Sequence, residues 1–515
     1  MLNKRVLRRR VAGLLEQHRV PGIAVGICDR KSMLWSAGFG RTRAGGGESV
    51  TPQTMFGVQS CSKMYTATAV LLAVRDGLVD LDVPIVEYLP EIRLNSSFET
   101  RPERVITLRH LLRHTAGFTH EAPVGSNYLV GRGSFEAHCR SIYDTWLRFP
   151  VGHHFQYSNL GIDLAGYILQ RRSGLPFDRF VRRTVFEPLG LTRTTFNAAE
   201  IQREKDRAIG HSPEYSRIPV RVPMVAAGGL YTTVNDACRF IQFQLAGGAD
   251  LAELHRLPGR DRGYGLGLRI TDVDGIPVHG HGGGGFGFLS DIYWAPDAGV
   301  GVVVLTNSTE HSLQWELASE IFREVIPHRP PREVPAPPEV SPGSLTGLAG
   351  NYSGSGTDQV TFAVEGDRGV LVQGDTRHPV RFVGPLEFTI GQGERLRFRD
   401  LDDAGRPAYL ERVDDGHVRF RNDVPEAPPT KPTEQIEPPR PDGPWNRDYA
   451  VRANGVREGT ARLRKENGVH LFDHWHGGTV RLRRHRRDLY ISATGEALDL
   501  TCTPPTYANI RLHGL

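Results

Sequence analysis

The pattern of apolar and polar positions divides the chain into three parts. Up to about residue 325, apolar runs typical of buried strands alternate with segments whose apolar residues recur at helical spacing. After residue 343 the pattern changes to short alternating runs separated by Gly and Asp, which is typical of small all-β barrels. Two proline-rich stretches, 327–343 and 425–444, predict semi-rigid linkers. We therefore predict three domains, covering residues 1–326, 344–424 and 445–515.

The first domain has apolar strand patterns at both of its ends. It begins with an amphipathic helix and the run GIAVGICD at 22–29, and it closes with runs at 286–296 and 300–308 and a helix over 313–325. Strands at both ends with helices between them predict one antiparallel sheet built from both ends, with a helical insert. The fold class is therefore α/β (α+β), followed by two small β-domains.

Composition and charge narrow the class of protein. The 515 residues are 39% hydrophobic and 23% charged, which is typical of a soluble globular protein. A net charge of +5 over this length predicts no nucleic-acid partner, and no apolar run approaches the ~20 residues of a membrane span. Five scattered cysteines without a CxxC pair argue against disulfides or a zinc site, and we expect a cytoplasmic protein.

A serine and a lysine stand three residues apart at the start of a strongly helical segment. Ser60 and Lys63 precede apolar positions that repeat at helical spacing. This spacing predicts the hydroxyl and the amine on one helix face, at the positive end of the helix dipole. Desolvation favours the neutral amine, which can take the proton from Ser60. The alternative is a capping serine beside a lysine that lies along an apolar surface.

Two downstream motifs carry groups that suit the same chemistry. Tyr157-Ser158-Asn159 precedes a helix, and an extended turn directs the phenol and the carboxamide the same way. A phenol can relay protons and an amide can bind a substrate carbonyl. His281-Gly282-Gly283 stands just ahead of a predicted strand, where glycines let a substrate backbone approach a strand edge. The alternatives are a capping asparagine beside a core tyrosine, and a flexible hairpin with a surface histidine.

The three motifs in this order resemble those of the penicillin-recognising serine hydrolases, S-x-x-K, Y-x-N and K-T-G or H-x-G. That family includes class C β-lactamases, DD-carboxypeptidases, D-aminopeptidases and related esterases. The supporting segments are LRHLLRHTAGF, AAGGLYTTVNDACRF, GYGLGL and VGVVVLTNS. The resemblance covers about residues 10–325. It implies a β-lactamase/transpeptidase-like catalytic domain with a central antiparallel sheet.

The resemblance also implies a role for each motif residue. Ser60 is expected to be the nucleophile and Lys63 its base, while Tyr157 relays protons to the leaving group and Asn159 orients the substrate. The backbone N–H groups of Ser60 and Gly284 are expected to form the oxyanion hole, where one lost donor costs roughly 3–4 kcal/mol. The reaction is acylation of the serine, departure of an amine or alcohol, and hydrolysis by water. No metal or organic cofactor is implied.

His281 departs from the lysine of K-T-G. A histidine with a pKa near ~6.5 is mostly neutral at pH 7, so recognition of a free substrate carboxylate is weakened unless a nearby arginine supplies the cation. The resemblance still implies that His281, at the lysine position of the third motif, is a catalytic residue, and that the neighbouring Gly283 and Gly284 bind substrate. This departure favours an aminopeptidase, amidase or esterase over a β-lactamase or carboxypeptidase.

A catalytic domain followed by two β-barrels resembles the bacterial D-aminopeptidases, in which a loop of the last barrel reaches the active site. The candidate loop here is 472–479, FDHWHGGT, with His474, Trp475 and His476 expected to contact substrate. The alternative is an ordinary hairpin tip. A metal site on His474 and His476 lacks an evident third ligand.

The leading hypothesis is a serine hydrolase that works through acyl-Ser60 on small peptides or amides, aminopeptidase-like and with D-amino-acid specificity as one form. The alternatives are an esterase or acyltransferase, a weak β-lactamase, and a covalent ligand-binding module without turnover. The expected partner is a small-molecule or short-peptide substrate, without nucleic acid or membrane. The sequence leaves open whether the chain forms a homo-oligomer.

Overall fold

The computed structural model of the chain contains three groups of elements: a mixed α/β unit before residue 327, a β-sheet unit between 345 and 421, and a β-barrel after 445. Residues 3–514 are described except for positions 97, 121, 126–132, 213–217, 248–262, 310, 327–344, 355–358, 367, 375, 392–393, 414–416, 422–444, 454–455, 467, 476–478, 487, 493–495, 502 and 508–509. Both predicted linkers lie outside the described residues.

An antiparallel sheet forms the centre of the first unit. The strands of this unit are β1 (Gly22–Asp29), β2 (Met33–Arg43), β3 (Gly46–Ser49), β4 (Phe56–Gly57), β5 (Tyr231–Thr232), β6 (Gly263–Tyr264), β7 (Arg269–Val273), β8 (Ile276–Gly285), β9 (Phe288–Ala295) and β10 (Val300–Thr306). β4 and β5 form a separate pair, and the other eight follow the order β3-β2-β1-β10-β9-β8-β7-β6. Because β1 pairs with both β2 and β10, the sheet is built from both ends of the unit, as predicted.

Helices cover both faces of this sheet. Those in the described residues are α1 (Lys4–Gln17), α2 (Ser62–Arg75), α3 (Leu108–Leu112), α4 (Phe135–Ser141), α5 (Asn159–Ser173), α6 (Phe177–Val181), α7 (Ala198–Arg203), α8 (Val225–Gly228), α9 (Val234–Leu245) and α10 (Leu313–Val325). α1 and α10 pack on one face and α2 and α9 on the other, which explains why β1 is apolar at successive positions. Burial of Leu7, Val11 and Leu14 holds α1 in place, at about 1.5–3 kcal/mol for each side chain. The predicted helix over 313–325 is confirmed.

Two separate β-domains follow, as predicted. The middle one is a nine-stranded antiparallel sheet of β11 (Gly350–Ser353), β12 (Gln359–Glu365), β13 (Arg368–Gln373), β14 (Thr376–Pro379), β15 (Arg381–Phe382), β16 (Glu387–Ile390), β17 (Glu394–Leu401), β18 (Pro407–Arg412) and β19 (Val418–Arg421). The last is a closed barrel of β20 (Arg447–Ala453), β21 (Val456–Glu466), β22 (Val469–Asp473), β23 (Thr479–Arg486), β24 (Leu489–Ser492), β25 (Ala497–Asp499), β26 (Thr506–Tyr507) and β27 (Ile510–Gly514). Each has its own apolar core.

The middle β-domain contacts the segment that leads into the Y-x-N motif. Arg148 is buried and donates a hydrogen bond from Nη2 to the Gly354 carbonyl at 3.1 Å. Phe155, two residues before Tyr157, forms an isolated bridge with His417. No helix in the described ranges is both long and apolar enough for a membrane crossing.

Candidate active site

Ser60 lies in a tight turn between β4 and α2. The turn is a 3₁₀ helix over Gln59–Cys61, and the α-helix itself begins at Ser62, two residues later than the sequence pattern predicts. Gln59 has a φ of +48°, which is uncommon for a residue with a Cβ and is retained only where the surroundings hold it. The Ser62 hydroxyl donates to the Gln59 carbonyl and so fixes the turn. Ser60 itself is half-buried.

Lys63 is fully buried and donates to three oxygen atoms. Its Nζ lies 3.0 Å from Ser60 Oγ, 2.8 Å from Asn159 Oδ1 and 2.9 Å from the Ala227 carbonyl oxygen. Of these three oxygens only the serine hydroxyl carries a hydrogen of its own. A neutral Lys63 can therefore accept the proton of Ser60 while it keeps both other hydrogen bonds. The predicted contact between Ser60 and Lys63 is present.

Ala227, whose carbonyl accepts the hydrogen bond from Lys63, is itself held through its N–H by a buried carboxylate. Asp163 Oδ1 accepts the Ala227 N–H at 3.0 Å, and Asp163 Oδ2 lies 3.2 Å from His138 Nε2. Both side chains are buried. The sequence analysis missed this pair. The available signal is Asp163 itself, a charged residue on the apolar face of α5, one turn after Asn159.

Tyr157 occupies an extended residue pair directly before α5, as predicted. The Nζ of Lys63 lies 4.8 Å from the centre of the Tyr157 ring. The rings of His114 and His281 lie 4.5 Å and 6.0 Å from it. Asn159 opens α5, and its carboxamide oxygen is the one that Lys63 contacts. The structure thus brings the first two motifs together.

His281 lies inside strand β8, and the prediction that it stands ahead of a strand is wrong, because the strand runs through the glycine-rich stretch to Gly285. Its Nε2 lies 2.8 Å from the Tyr264 hydroxyl, and its Nδ1 contacts the Gly282 carbonyl. Since a carbonyl only accepts, the network assigns the proton to Nδ1 and makes Nε2 the acceptor from Tyr264. Both ring nitrogens are therefore engaged by protein groups.

Burial determines the charge state of the third motif. It lowers the pKa of His281 well below its usual value, and the charges of Arg269 and Lys63 lower it further. His281 is therefore neutral at pH 7. Burial also raises the pKa of Tyr264, which keeps the proton that it donates.

Gly283 allows β8 to approach the serine turn. A Cβ at this position would lie 2.1 Å from the Val58 carbonyl oxygen and 3.1 Å from the Ser60 nitrogen, so no larger residue fits without movement of the backbone. Gly284 follows in the strand and is exposed. The glycine stretch thus runs beside the backbone N–H of Ser60, where the resemblance expects an oxyanion hole.

Arg269 is a residue that the sequence analysis did not select. It is half-buried in β7 and pairs across the sheet with Gly280, one residue before His281. Its positive charge also lowers the pKa of His114, although burial is the main cause there. The motif pattern gives no signal for Arg269, because its position depends on strand pairing. It supplies a cation near the third motif that the neutral His281 does not.

Two of the predicted loop residues, His474 and Trp475, pack among the rings of the last barrel. The rings of His474 and Trp475 are buried and stacked, with centroids 3.8 Å apart. His474 also contacts Phe472 and Tyr507 of the same barrel. His476, Gly477 and Gly478 lie outside the described residues. A role of this loop at the active site stays a prediction. In the described part of the chain, no group of three or more His, Cys, Asp or Glu side chains is arranged to hold a metal ion.

Comparison with known proteins extends these observations. Residues 7–318 match the model of the Beta-lactamase family. Penicillin-binding protein 4 of Amycolatopsis lactamdurans is 27% identical over 380 residues, which is 68% of this chain and 97% of that protein. A β-lactamase of Yersinia enterocolitica is 29% identical over 46% of this chain, and Protein flp of Staphylococcus aureus is 23% identical over 45% of it. The chain spans 58% and 47% of the lengths of these two relatives.

Two solved structures have a similar fold. The octameric penicillin-binding protein homologue from Pyrococcus abyssi has a TM-score of 0.56 at 22% identity, over 82% of this chain and 100% of its own. SurE with D-Leu has a TM-score of 0.60 at 22% identity, over 81% of this chain and 98% of its own. The family model matches more than half of the residues, and the chain therefore belongs to the Beta-lactamase family of serine hydrolases.

Proposed function

We propose that the protein is a hydrolase of small peptides or amides that works through an acyl-Ser60 intermediate. The observation that carries this proposal is the set of partners around Lys63 Nζ. Asn159 Oδ1 and the Ala227 carbonyl can only accept hydrogen bonds, so Ser60 is the one partner that can give the amine a proton. This arrangement suits a base that activates a serine.

The reaction has two halves. In the first, Ser60 Oγ attacks the substrate carbonyl carbon, its proton passes to Lys63 Nζ, and the carbonyl oxygen becomes negatively charged beside the N–H groups of Ser60 and Gly284. Tyr157 then passes a proton to the departing nitrogen and is reprotonated by Lys63, and the bond between that nitrogen and the carbonyl carbon breaks. In the second half, water attacks the ester carbonyl, one of its protons passes to Ser60 Oγ as the ester bond breaks, and the acyl group leaves as a carboxylic acid. Asn159 binds the substrate amide and orients it.

Two observations bear on the substrate class. The fold is similar to that of SurE, whose structure holds D-Leu, which supports testing substrates with D-residues. The rings of Tyr264, His114 and His120 pack with that of Tyr157, which lies 4.8 Å from Lys63 Nζ, and such a group of rings suits a small, partly apolar substrate. The octameric homologue from Pyrococcus abyssi supports a homo-oligomer as part of the proposal.

Arg269 favours a second candidate function. A guanidinium suits bidentate recognition of a carboxylate, and this one lies one strand away from His281. Substrates with a free carboxylate, such as a peptide C-terminus or a β-lactam, are therefore the alternative class. The neutral His281 alone disfavours them, whereas the cation of Arg269 restores part of the attraction.

A substrate panel tests the proposal. Purified protein and the Ser60→Ala variant are assayed with D- and L-aminoacyl p-nitroanilides, short-chain p-nitrophenyl esters, peptides with a free C-terminal D-residue, and nitrocefin. We expect turnover of the aminoacyl anilides, loss of that turnover in Ser60→Ala, and nitrocefin kcat/KM below about 10⁵ M⁻¹s⁻¹. Higher turnover of the carboxylate-bearing substrates, and its loss in Arg269→Gln, supports the second candidate. Activity that survives in Ser60→Ala contradicts both.

A further inference from the structure

His114 has an unusual backbone conformation beside the candidate active site. It follows α3 and has a φ of +58°, in the left-handed region that residues with a Cβ avoid. It is also buried, with 2% of its surface exposed. Such a conformation is unfavourable and is kept only where the surrounding structure fixes it.

Both residues that flank Tyr157 donate hydrogen bonds to His114. The N–H of Gln156 binds the His114 carbonyl at 2.8 Å, and the N–H of Ser158 binds His114 Nδ1 at 3.2 Å. The left-handed backbone lets one residue present its carbonyl and its ring to the same short segment. The imidazole also packs against the ring of Tyr157, with centroids 4.5 Å apart, and against Tyr264 at 4.6 Å.

The hydrogen bond from Ser158 requires a neutral imidazole with its proton on Nε2, because Nδ1 must present a lone pair. Burial lowers the pKa of His114 well below its usual value, and the nearby charge of Lys63 acts in the same direction. The ring is therefore neutral over the physiological range. Its Nε2 has no hydrogen-bond partner among the described residues, so the contact through Nδ1 is the one that orients the ring.

We propose that His114 is a positioning residue that holds Tyr157 in its place between Lys63 and the third motif. It does so by binding the backbone on both sides of Tyr157 and by packing against the phenol ring. His114 touches no reacting atom in this account. The proposal rests on the proposed function in so far as Tyr157 relays a proton to the leaving group. Its structural part, the hydrogen bonds that hold Gln156 and Ser158, does not depend on any substrate.

Three variants separate the side-chain acceptor from the other features of the residue. In His114→Asn the amide Oδ1 occupies the branch position of Nδ1, and asparagine tolerates positive φ, so the bond from Ser158 is retained. His114→Phe keeps a ring but removes the acceptor. His114→Gly also removes the acceptor and adopts positive φ without strain, which keeps the test valid if the Phe variant does not fold.

His110→Phe is the matched control. His110 Nδ1 accepts the Thr107 N–H at 3.2 Å in the cap of α3, so this change removes an equivalent hydrogen bond from a nearby imidazole. The difference is that Thr107 is not adjacent to a motif residue. An effect that arises from general weakening of the loop will be the same in His110→Phe and in the His114 variants.

Kinetics on anilides and esters test the link to Tyr157. A displacement of about 1 Å at a catalytic group costs about 10²-fold in rate. We expect kcat on the anilides to fall about 10²-fold in His114→Phe and His114→Gly, with KM within about threefold. p-Nitrophenolate leaves the ester without taking up a proton. The loss of kcat on p-nitrophenyl esters should therefore be about tenfold smaller than the loss on anilides. His114→Asn should stay within about tenfold of wild type on both substrates, and His110→Phe within about twofold.

Hydrogen exchange of the Ser158 amide, followed in the full-length protein, gives a readout that needs no substrate. We expect exchange at least about tenfold faster in the Phe and Gly variants and close to wild type in His114→Asn. If the wild type hydrolyses none of the substrates while exchange follows this order, the proposed function fails and the structural part of the proposal stands. Two results overturn the proposal. One is Ser158 amide exchange in His114→Asn as fast as in His114→Phe and His114→Gly. The other is a kcat loss that is the same on anilides and esters and the same in all three variants.

Discussion

Two buried clusters of this protein each place a histidine beside an aromatic ring and differ in how they are built. Around Lys63, polar groups arrive from separate segments: Ser60 before α2, Asn159 at the start of α5, and the Ala227 carbonyl of α8. Around Trp475, the neighbouring rings of Phe472, His474 and Tyr507 belong to one barrel. The first cluster directs hydrogen bonds at one amine, whereas the second consists mainly of stacked rings.

The difference between the two clusters shows which structural feature indicates a catalytic function. Histidine beside an aromatic ring occurs in both clusters and distinguishes neither. A buried lysine whose hydrogen bonds all end on oxygens, two of them from distant segments, is different, because burying it is costly unless every donor is satisfied. Lys63 is such a lysine, and it lies one helical turn from Ser60. Changes in the first cluster should therefore affect turnover, and changes in the second should affect stability.

The largest expected effect comes from Lys63→Ala. Without the amine, Ser60 has no base, and residues that act as a unit in such sites typically cost 10³-fold or more in kcat. The variant also leaves Asn159 Oδ1 and the Ala227 carbonyl without their donor, which costs about 1–3 kcal/mol of folding free energy for each unsatisfied group. Steady-state kcat on the best substrate and thermal unfolding measure the two effects. A kcat within tenfold of wild type contradicts the account.

The next effect in size is expected for Asp163→Ala. Loss of the carboxylate removes the acceptor of the buried Ala227 N–H and the hydrogen bond to the buried His138, and an unsatisfied buried group costs about 1–3 kcal/mol of folding free energy. Because the Ala227 carbonyl binds Lys63, we also expect kcat to fall while the substrate KM changes little. Urea unfolding and steady-state kinetics measure both. Loss of stability without any change in kcat means that this pair does not position the lysine.

A smaller effect is expected from pH. Burial lowers the folded-state pKa of His114 and His281 well below the ~6.5 of an unfolded chain. Between these values the unfolded state binds more protons, so stability rises with pH there and is lost as the pH falls below about 6.5. Each histidine contributes a slope of up to ~1.4 kcal/mol per pH unit. Denaturant unfolding at pH 7.5, 6.5 and 5.5 should show this slope, and His281→Phe should reduce it. A flat profile contradicts the neutral buried rings.

The smallest kinetic effect is expected for Trp475→Ala. The ring belongs to the core of the last barrel, so its loss should lower the free energy of unfolding by about 3–5 kcal/mol and leave kcat on a dipeptide within about threefold.

The prediction that loop 472–479 excludes larger substrates is tested with His476→Ala, which should raise kcat/KM for longer peptides relative to a dipeptide. An unchanged ratio across the peptide series means that the loop is an ordinary hairpin tip.

The sequence predicts those parts of the fold that depend on local pattern. The strands β1 and β10 and the helix α10 follow from continuous apolar runs and helical spacing, and the contact between Ser60 and Lys63 follows from their separation by one turn. The extent of β8 could not be predicted, because a glycine-rich stretch shows no alternation of apolar and polar residues. The partners of Asp163 and the position of Arg269 could not be predicted either. Both depend on how the helical insert and the sheet edge pack together.

Ser60, activated by Lys63, is proposed to form the covalent intermediate. Reaction with a fluorophosphonate probe, followed by intact-protein mass spectrometry and peptide mapping, measures this directly. We expect one adduct on the peptide that contains Ser60, no adduct in Ser60→Ala, and labelling slowed by about 10³-fold or more in Lys63→Ala. Ser62→Ala is a second comparison: this neighbouring hydroxyl is buried and holds the Ser60 turn through the Gln59 carbonyl, so its loss should slow labelling but leave the adduct on Ser60. An adduct on another residue, or undiminished labelling of Lys63→Ala, contradicts the claim.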